Sequence, residues 1–299
     1  MTPSATAAAP WPAVATRPPE RPGRTARRAM RARAAIATAA TPQGGTVLAT
    51  LRSDPPLTLR RTGPGRVHLV STAAGPLGGD VLELDVEVAA GTVLELHSVA
   101  ATLVLPGAGG PSRMVVTARV GPGGVLRFTP EPTILAAGCD HRLEVRLSLA
   151  ATASVLWREE LVFGRHGEPP GRCEAGFDAV VDGVPLLRQR LAVGDPAVEA
   201  SPAVYGSARC VGSTLLAGPA FPPPEGRPGE AAVAEGVAVL PLAGPGVLVS
   251  ALADDAAELR RRLLWGEALA TGRDRARPPR PTGGPGTAAG NAAEPTPNA

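Results

Sequence analysis

The chain has 299 residues, enough for one large domain or two small ones. All 30 of its Lys+Arg residues are Arg, against 27 acids, but eleven of them sit in the end segments Arg17–Arg33 and Arg273–Arg280. Residues 34–272 hold 19 Arg against 24 acids, a net of about −5, so the basic balance belongs to the ends and does not describe a folded nucleic-acid reader. Aromatics at 3% argue against base stacking, and the absence of an apolar run of about 18 residues argues against a membrane span.

Residues 1–33 are mostly Ala, Pro, Thr and Arg, with too little apolar surface to offset the entropy of ordering them, and read as a disordered tail. Arg27–Ala40 imitates a secretory leader, but its apolar part holds one Ile and no Leu, too weak for an h-region. Met30 is a second candidate start. Residues 34–272 read as a single β domain.

Gly75-Pro76-Leu77-Gly78-Gly79-Asp80 is glycine-rich but leads into a strand and lacks the Lys-Ser/Thr of a phosphate loop; a tight turn is the simpler reading. Period-two alternation then dominates. Leu82 to Val88 sets Leu and Val on one face and acids on the other, and Leu143 to Leu149 repeats the arrangement, the pattern of strands with one packed and one wet face. Ala89-Ala90-Gly91-Thr92 links the first run to Val93–His97. Gly121-Pro122-Gly123-Gly124 links Met114–Val120 to Val125–Thr129, and Ala150-Ala151-Thr152-Ala153 leads on to Val155–Trp157. Each link reads as a four-residue hairpin loop. Their spacing of 32 and 29 residues fits stacked strand units, β-solenoid-like or layered, and equally a sandwich of evenly sized hairpins. A fourth hairpin spans Phe177–Leu191 and turns at Asp182-Gly183.

Residues 219–229, rich in Pro and Gly, read as an exposed loop between this hairpin and further strands at Val237–Leu240 and Val247–Leu252. One helix is expected from Asp254-Asp255 to about Ala270. It carries acids at its positive end, Leu259 and Leu263 on one side, a Glu258–Arg262 pair on the other, and Gly272 as a stop. Arg273 to Ala299 reads as a second disordered tail.

Residues with chemistry to offer are few. Cys139, Cys173 and Cys210 are odd in number and lack CxxC spacing, so they give neither a disulfide framework nor a ready-made zinc site, the usage of a reducing cytoplasm. On a strand Cys139 and His141 share a face and offer two soft ligands, enough for a transient ion but short of a stable site. The same pair is the one candidate for a nucleophilic cysteine. His68, His97 and His166 are isolated in sequence. Glu159-Glu160 and Glu168 read as solvated charges, or as oxygen ligands loose enough to release a divalent ion.

Four ordered stretches resemble the UreD (UreH) urease accessory family. The first is Val67-His68-Leu69-Val70 with Gly75, Gly78, Gly79 and Asp80. The second is Pro130-Glu131-Pro132-Thr133-Ile134. The third is Trp157 through Gly164-Arg165 to Glu168, with Asp182–Leu187 and Arg190-Leu191, and the last is Val247–Leu264. The sequence departs from the family pattern at Ala74, at Ser98–Leu103 and at Glu131. The resemblance implies a mainly β fold of stacked strands, a β-helical or layered sheet architecture, with few helices, one near the C-terminus. It also implies a non-catalytic cytoplasmic scaffold that binds UreF, reaches the UreG GTPase through it, docks on apo-urease subunits and passes nickel in transit, with no nucleotide, nucleic acid or membrane partner and with a homodimer within the accessory complex. The implied passage gives Asp80, Glu131 and Glu168 as lining candidates, with Cys139 and His141 as a soft stop. The alternative from the residues alone is a β-rich binding module whose Arg-rich tails meet an acidic partner.

Overall fold

The computed structural model describes residues 28–199, 201–222 and 231–272; the two expected tails fall largely outside this range. Four strands open the fold: β1 (Arg31–Ala40), β2 (Thr46–Arg52), β3 (Leu57–Gly63) and β4 (Arg66–Ser71). Next come β5 (Val81–Val88), β6 (Val93–Ser98), β7 (Thr102–Val104), β8 (Ser112–Val120), β9 (Val125–Thr129) and β10 (Thr133–Leu135). They are followed by β11 (Asp140–Leu149), β12 (Ser154–Val162), β13 (Arg172–Val181), β14 (Val184–Val193) and a one-turn helix, α1 (Pro196–Glu199). The chain closes with β15 (Cys210–Ala217), β16 (Ala232–Ala234), β17 (Val237–Pro241), β18 (Gly246–Ala253) and helix α2 (Ala256–Ala270).

The strands form two layers. One sheet runs β14-β13-β11-β8-β5-β1-β2, the other β16-β17-β18-β15-β12-β9-β6-β4-β3. In the first, β1, β5, β8, β11 and β13 are parallel neighbours; in the second, β4, β6, β9 and β12 are. The chain alternates between layers as it climbs, which makes the middle of the molecule a two-layer solenoid. Parallel register stacks like on like: Leu84, Val116, Val145 and Phe177 align across one sheet, and Leu96, Phe128 and Trp157 across the other. These rows interdigitate between the layers and form the main core. Trp157, 1% exposed, lies against Phe128 and edge-on to Phe177 with ring centres 4.2 and 5.7 Å away.

The three links expected to be hairpin loops are crossings between layers. β5 pairs with β1 and β8, β6 with β4 and β9, and neither pairs with the other across Ala89–Thr92. Their backbone groups are satisfied by the next turn of the solenoid: Gly91 N donates to Pro122 O, Val125 N to Thr92 O, and Ser154 N to Gly124 O. Alternation cannot separate the two outcomes, since a hairpin and a crossing both turn the apolar faces of their strands to one core. Asp182-Gly183 does form a hairpin, with both residues at positive φ (46° and 79°) and Val181 opposite Val184.

Arg31–Ala40 is a strand inserted between β2 and β5, with Ala32, Ala34 and Ile36 buried; it begins three residues before the expected domain. Phe221, in the stretch read as an exposed loop, is 6% exposed and lies under the Arg127 guanidinium, 5.1 Å from its ring centre. The helix follows the sequence reading. Asp255 caps it by accepting from Glu258 N at 2.8 Å, and Leu259 and Leu263 are fully buried against β15, β17 and β18. Glu258 and Arg262 pair at 2.7 Å, but Glu258 lies buried under the helix and not on its open side. No helix among the described residues is long and apolar enough to cross a membrane.

Candidate functional site

The two ends of the solenoid differ in kind. At one, β5, β8 and β11 finish and the short crossings lie. At the other, β4, β6, β9 and β12 finish, and longer loops (72–80, 99–111, 130–139 and 163–171) carry the chain back to the first sheet. Asp80, Glu131, Cys139 and Glu168 fall in these loops and His141 is the second residue of β11, so the topology gathers all five candidates at one end. Gly75, Gly78, Gly79, Pro130, Thr133, Gly164 and Arg165 share that end, while Trp157 is in the core.

Each candidate has a partner in the protein. Asp80 is fully buried, its Oδ1 accepting from Met30 N at 2.8 Å and Oδ2 from Leu77 N at 3.0 Å. It thereby ties the start of β1 to the glycine loop. That loop presses against the 107–110 loop: a Cβ on Gly78 would lie 2.7 Å from Gly107 O and 2.8 Å from Gly110 O. Two backbones meet where no side chain fits. Glu168 accepts from Arg165 Nε at 2.9 Å and Ala137 N at 3.4 Å, and the Arg165 guanidinium, as the main cause, holds its carboxyl down to about 2. It lines a cleft with Arg209, Cys210, Asp254 and Asp255. Glu131 faces Arg260 on α2 at 3.4 Å.

Cys139 and His141 are each 2% exposed. Burial pushes the Cys139 thiol up to about 11, with Asp140 adding to it, and brings His141 down to about 4; Ser112 Oγ lies 2.8 Å from the imidazole Nδ1. Burial, then Cys139 and Glu159, push Cys173 up to about 12, and burial with Asp255 pushes Cys210 to about 11. All three thiols are therefore protonated at neutral pH, the form that neither attacks a carbonyl nor binds a metal well. Among the described residues no group of three His, Cys, Asp or Glu is arranged to hold a metal ion.

Glu159 and Glu160, read as solvated, are enclosed. β12 is central in its sheet, with the first sheet on one face and α2 on the other, so a charge on either face is covered. Glu159 shares the inner face with Trp157, whose Nε1 donates to it at 3.4 Å, and burial raises its carboxyl to about 7. Its side chain keeps some accessible surface. On the opposite face Arg260 Nε donates to Glu160 Oε1 at 2.5 Å, while Glu160 Oε2 is buried with no hydrogen-bond partner. Burial raises the Glu160 pKa and Arg260 opposes the shift. Beside it Arg158 donates twice to Glu267, at 2.8 and 2.7 Å, and Thr214 Oγ1 donates to the same carboxylate at 2.8 Å. These partners are 53 to 109 residues apart, and no spacing rule links them.

A two-layer stack with parallel strands at its centre, one helix packed on its second sheet and polar loops at one end, defines a solenoid-like β protein. The family description "UreD urease accessory protein" matches residues 30–282, and the chain belongs to that family. It is 46% identical over 297 residues to the "Urease accessory protein UreD" of Frankia casuarinae, covering 83% of this chain and 92% of the relative. It is 48% identical over 286 residues to that of Frankia alni, covering 82% and 94%. With the protein of the same name from Streptomyces coelicolor it shares 43% over 232 residues, covering 74% and 89%.

Proposed function

We propose that this chain is a non-catalytic cytoplasmic scaffold of urease maturation. In this reading it binds UreF, reaches the UreG GTPase through it, docks on apo-urease and lets nickel pass in transit to the urease active site. The observation that carries the reading is the gathering of Asp80, Glu131, Cys139, His141 and Glu168 at one end of a solenoid whose interior holds Glu159. A partly accessible carboxylate on the inner face of the sheet suits an ion in passage, because a single oxygen donor holds a divalent ion weakly enough to let it go. The protonated thiols argue against the nucleophilic-cysteine alternative, and Cys139→Ser is expected to leave function unchanged.

The test is co-expression of the tagged chain with the UreF and urease subunits of the same genome, followed by pull-down, gel filtration and urease assay. Co-elution with UreF and nickel-dependent urease activity that is lost without this chain support the proposal. Equal urease maturation without the chain, with no co-elution at low salt, overturns it.

A further inference from the structure

Two histidines far apart in sequence meet on the outer face of the second sheet. His68 on β4 and His97 on β6 are direct partners in the parallel register, with ring centres 5.2 Å apart and planes inclined by 34°. Their strand neighbours Val67 and Leu96 point into the core, which puts both imidazoles on the opposite face, half-buried. Helix α2 packs on β12, β15, β17 and β18 and so leaves β3, β4 and β6 uncovered by it.

Each ring is anchored through the same nitrogen, on opposite sides. Thr62 Oγ1 lies 2.8 Å from His68 Nδ1, and Thr62 is the residue bulged out of the β3 register. Thr129 Oγ1 lies 2.7 Å from His97 Nδ1 and belongs to β9, on the far side of β6. With each Nδ1 held by a threonine from the strand on its far side, Nε2 is the ring nitrogen left to meet an ion. Two imidazoles that share one ion, each with a nitrogen about 2.0–2.1 Å from it, hold their ring centres roughly 4.5–5.3 Å apart. The observed spacing falls in that window.

We propose that His68 and His97 form a surface site for one exchangeable late first-row divalent ion, of the class Ni2+, Cu2+ or Zn2+, bound through the two Nε2 atoms. Thr62 and Thr129 are its positioning residues: with Nε2 on the ion, each Nδ1–H donates to a threonine oxygen and fixes the ring. The surrounding charge is compatible with a cation. Arg66, two residues before His68, is paired to Glu95 at 2.7 Å, and Arg60, in register with His68, is exposed where water screens it. Two protein ligands leave the other positions to water or to a partner's side chain, which makes the ion available for handover. The site lies on the outside of the molecule and does not depend on nickel passing through the interior.

The test uses the full 299-residue chain and its His68→Gln, His97→Gln and double variants, with glutamine retained as a hydrogen-bond partner for the threonines and circular dichroism confirming the fold. Ni2+ binding is measured by calorimetry, and bound Cu2+ is examined by electron paramagnetic resonance for nitrogen couplings. The expected result is one ion coupled to two imidazole nitrogens, about tenfold or more weaker binding in each single variant through loss of the chelate, and loss of that ion in the double variant. His166→Gln, a change in an exposed loop, is expected to bind as the parent does. Equal Ni2+ binding by parent and double variant, or Cu2+ coupled to fewer than two nitrogens in the parent, overturns the proposal. Because the readout is binding and not urease maturation, its failure is distinct from failure of the scaffold reading.

Discussion

The two ends of the solenoid use the same strands and behave as different materials. At the crossing end the links are four residues of Ala, Gly, Pro or Thr whose backbones bond to the next turn, and the buried Thr38–Thr92 hydroxyl pair (2.6 Å) is the main polar feature there. At the loop end the connections are longer, press backbone on backbone at Gly78–Gly107, and hold Asp80, Glu131, Cys139 and Glu168, with His141 just inside β11. The climb of the chain is set by repetitive, chemically plain links, which leaves the other end free to vary its loops. A rigid scaffold that presents polar groups on loops is a common division of labour in proteins.

Changes at and between the ends sharpen this contrast. The largest effect is expected midway between them. Glu267→Ala strands the buried Arg158 charge and costs about 3–5 kcal/mol in urea unfolding; a loss under about 1 kcal/mol would mean that water reaches Arg158. At the loop end, Gly78→Ala forces the 72–80 and 99–111 loops apart and costs about 1–3 kcal/mol, as other overpacked contacts do. At the crossing end Gly91, at φ +67° with open space beside it, adds only left-handed strain, and Gly91→Ala costs about 1–2 kcal/mol with the loop end undisturbed. A greater loss from Gly91→Ala than from Gly78→Ala would reverse the comparison.

A further effect depends on pH. Glu159 has a folded pKa of about 7 against an ordinary 4.5, so its contribution to stability is full below the unfolded value and lost as pH rises through the folded one. Glu159→Gln, a permanent mimic of the protonated acid, is therefore expected to be more stable than the parent at pH 8 and to show no such gain at pH 4. Parallel stability curves for the two proteins across that range would place Glu159 in ordinary solvent.

Much of the fold was legible in the sequence. Alternation located β5, β6, β8, β9, β11 and β12, the recurrence at about 30 residues matched the solenoid turn without deciding between solenoid and sandwich, and Asp182-Gly183 and Asp254-Asp255 marked a hairpin and a helix start. β1 was legible and missed: Arg31-Ala32-Arg33-Ala34 alternates as a strand does, but its buried side are alanines, which carry little hydrophobic signal. The motif residues of the candidate site were also visible in order, though not their meeting at one end.

What the sequence determined by itself is therefore what periodicity and local turn chemistry encode: which residues are strands, which face is apolar, where the helix begins. Only the tertiary structure decided which strands pair, and so whether a four-residue link is a hairpin or a crossing. It alone enclosed Glu159 and Glu160, joined Arg158 to Glu267 across 109 residues, and set His68 beside His97. The physical reason is common to all of these. Pairing and burial depend on what lies across the sheet and above it, and those neighbours are brought in by parallel stacking and by a helix about 100 residues further along the chain.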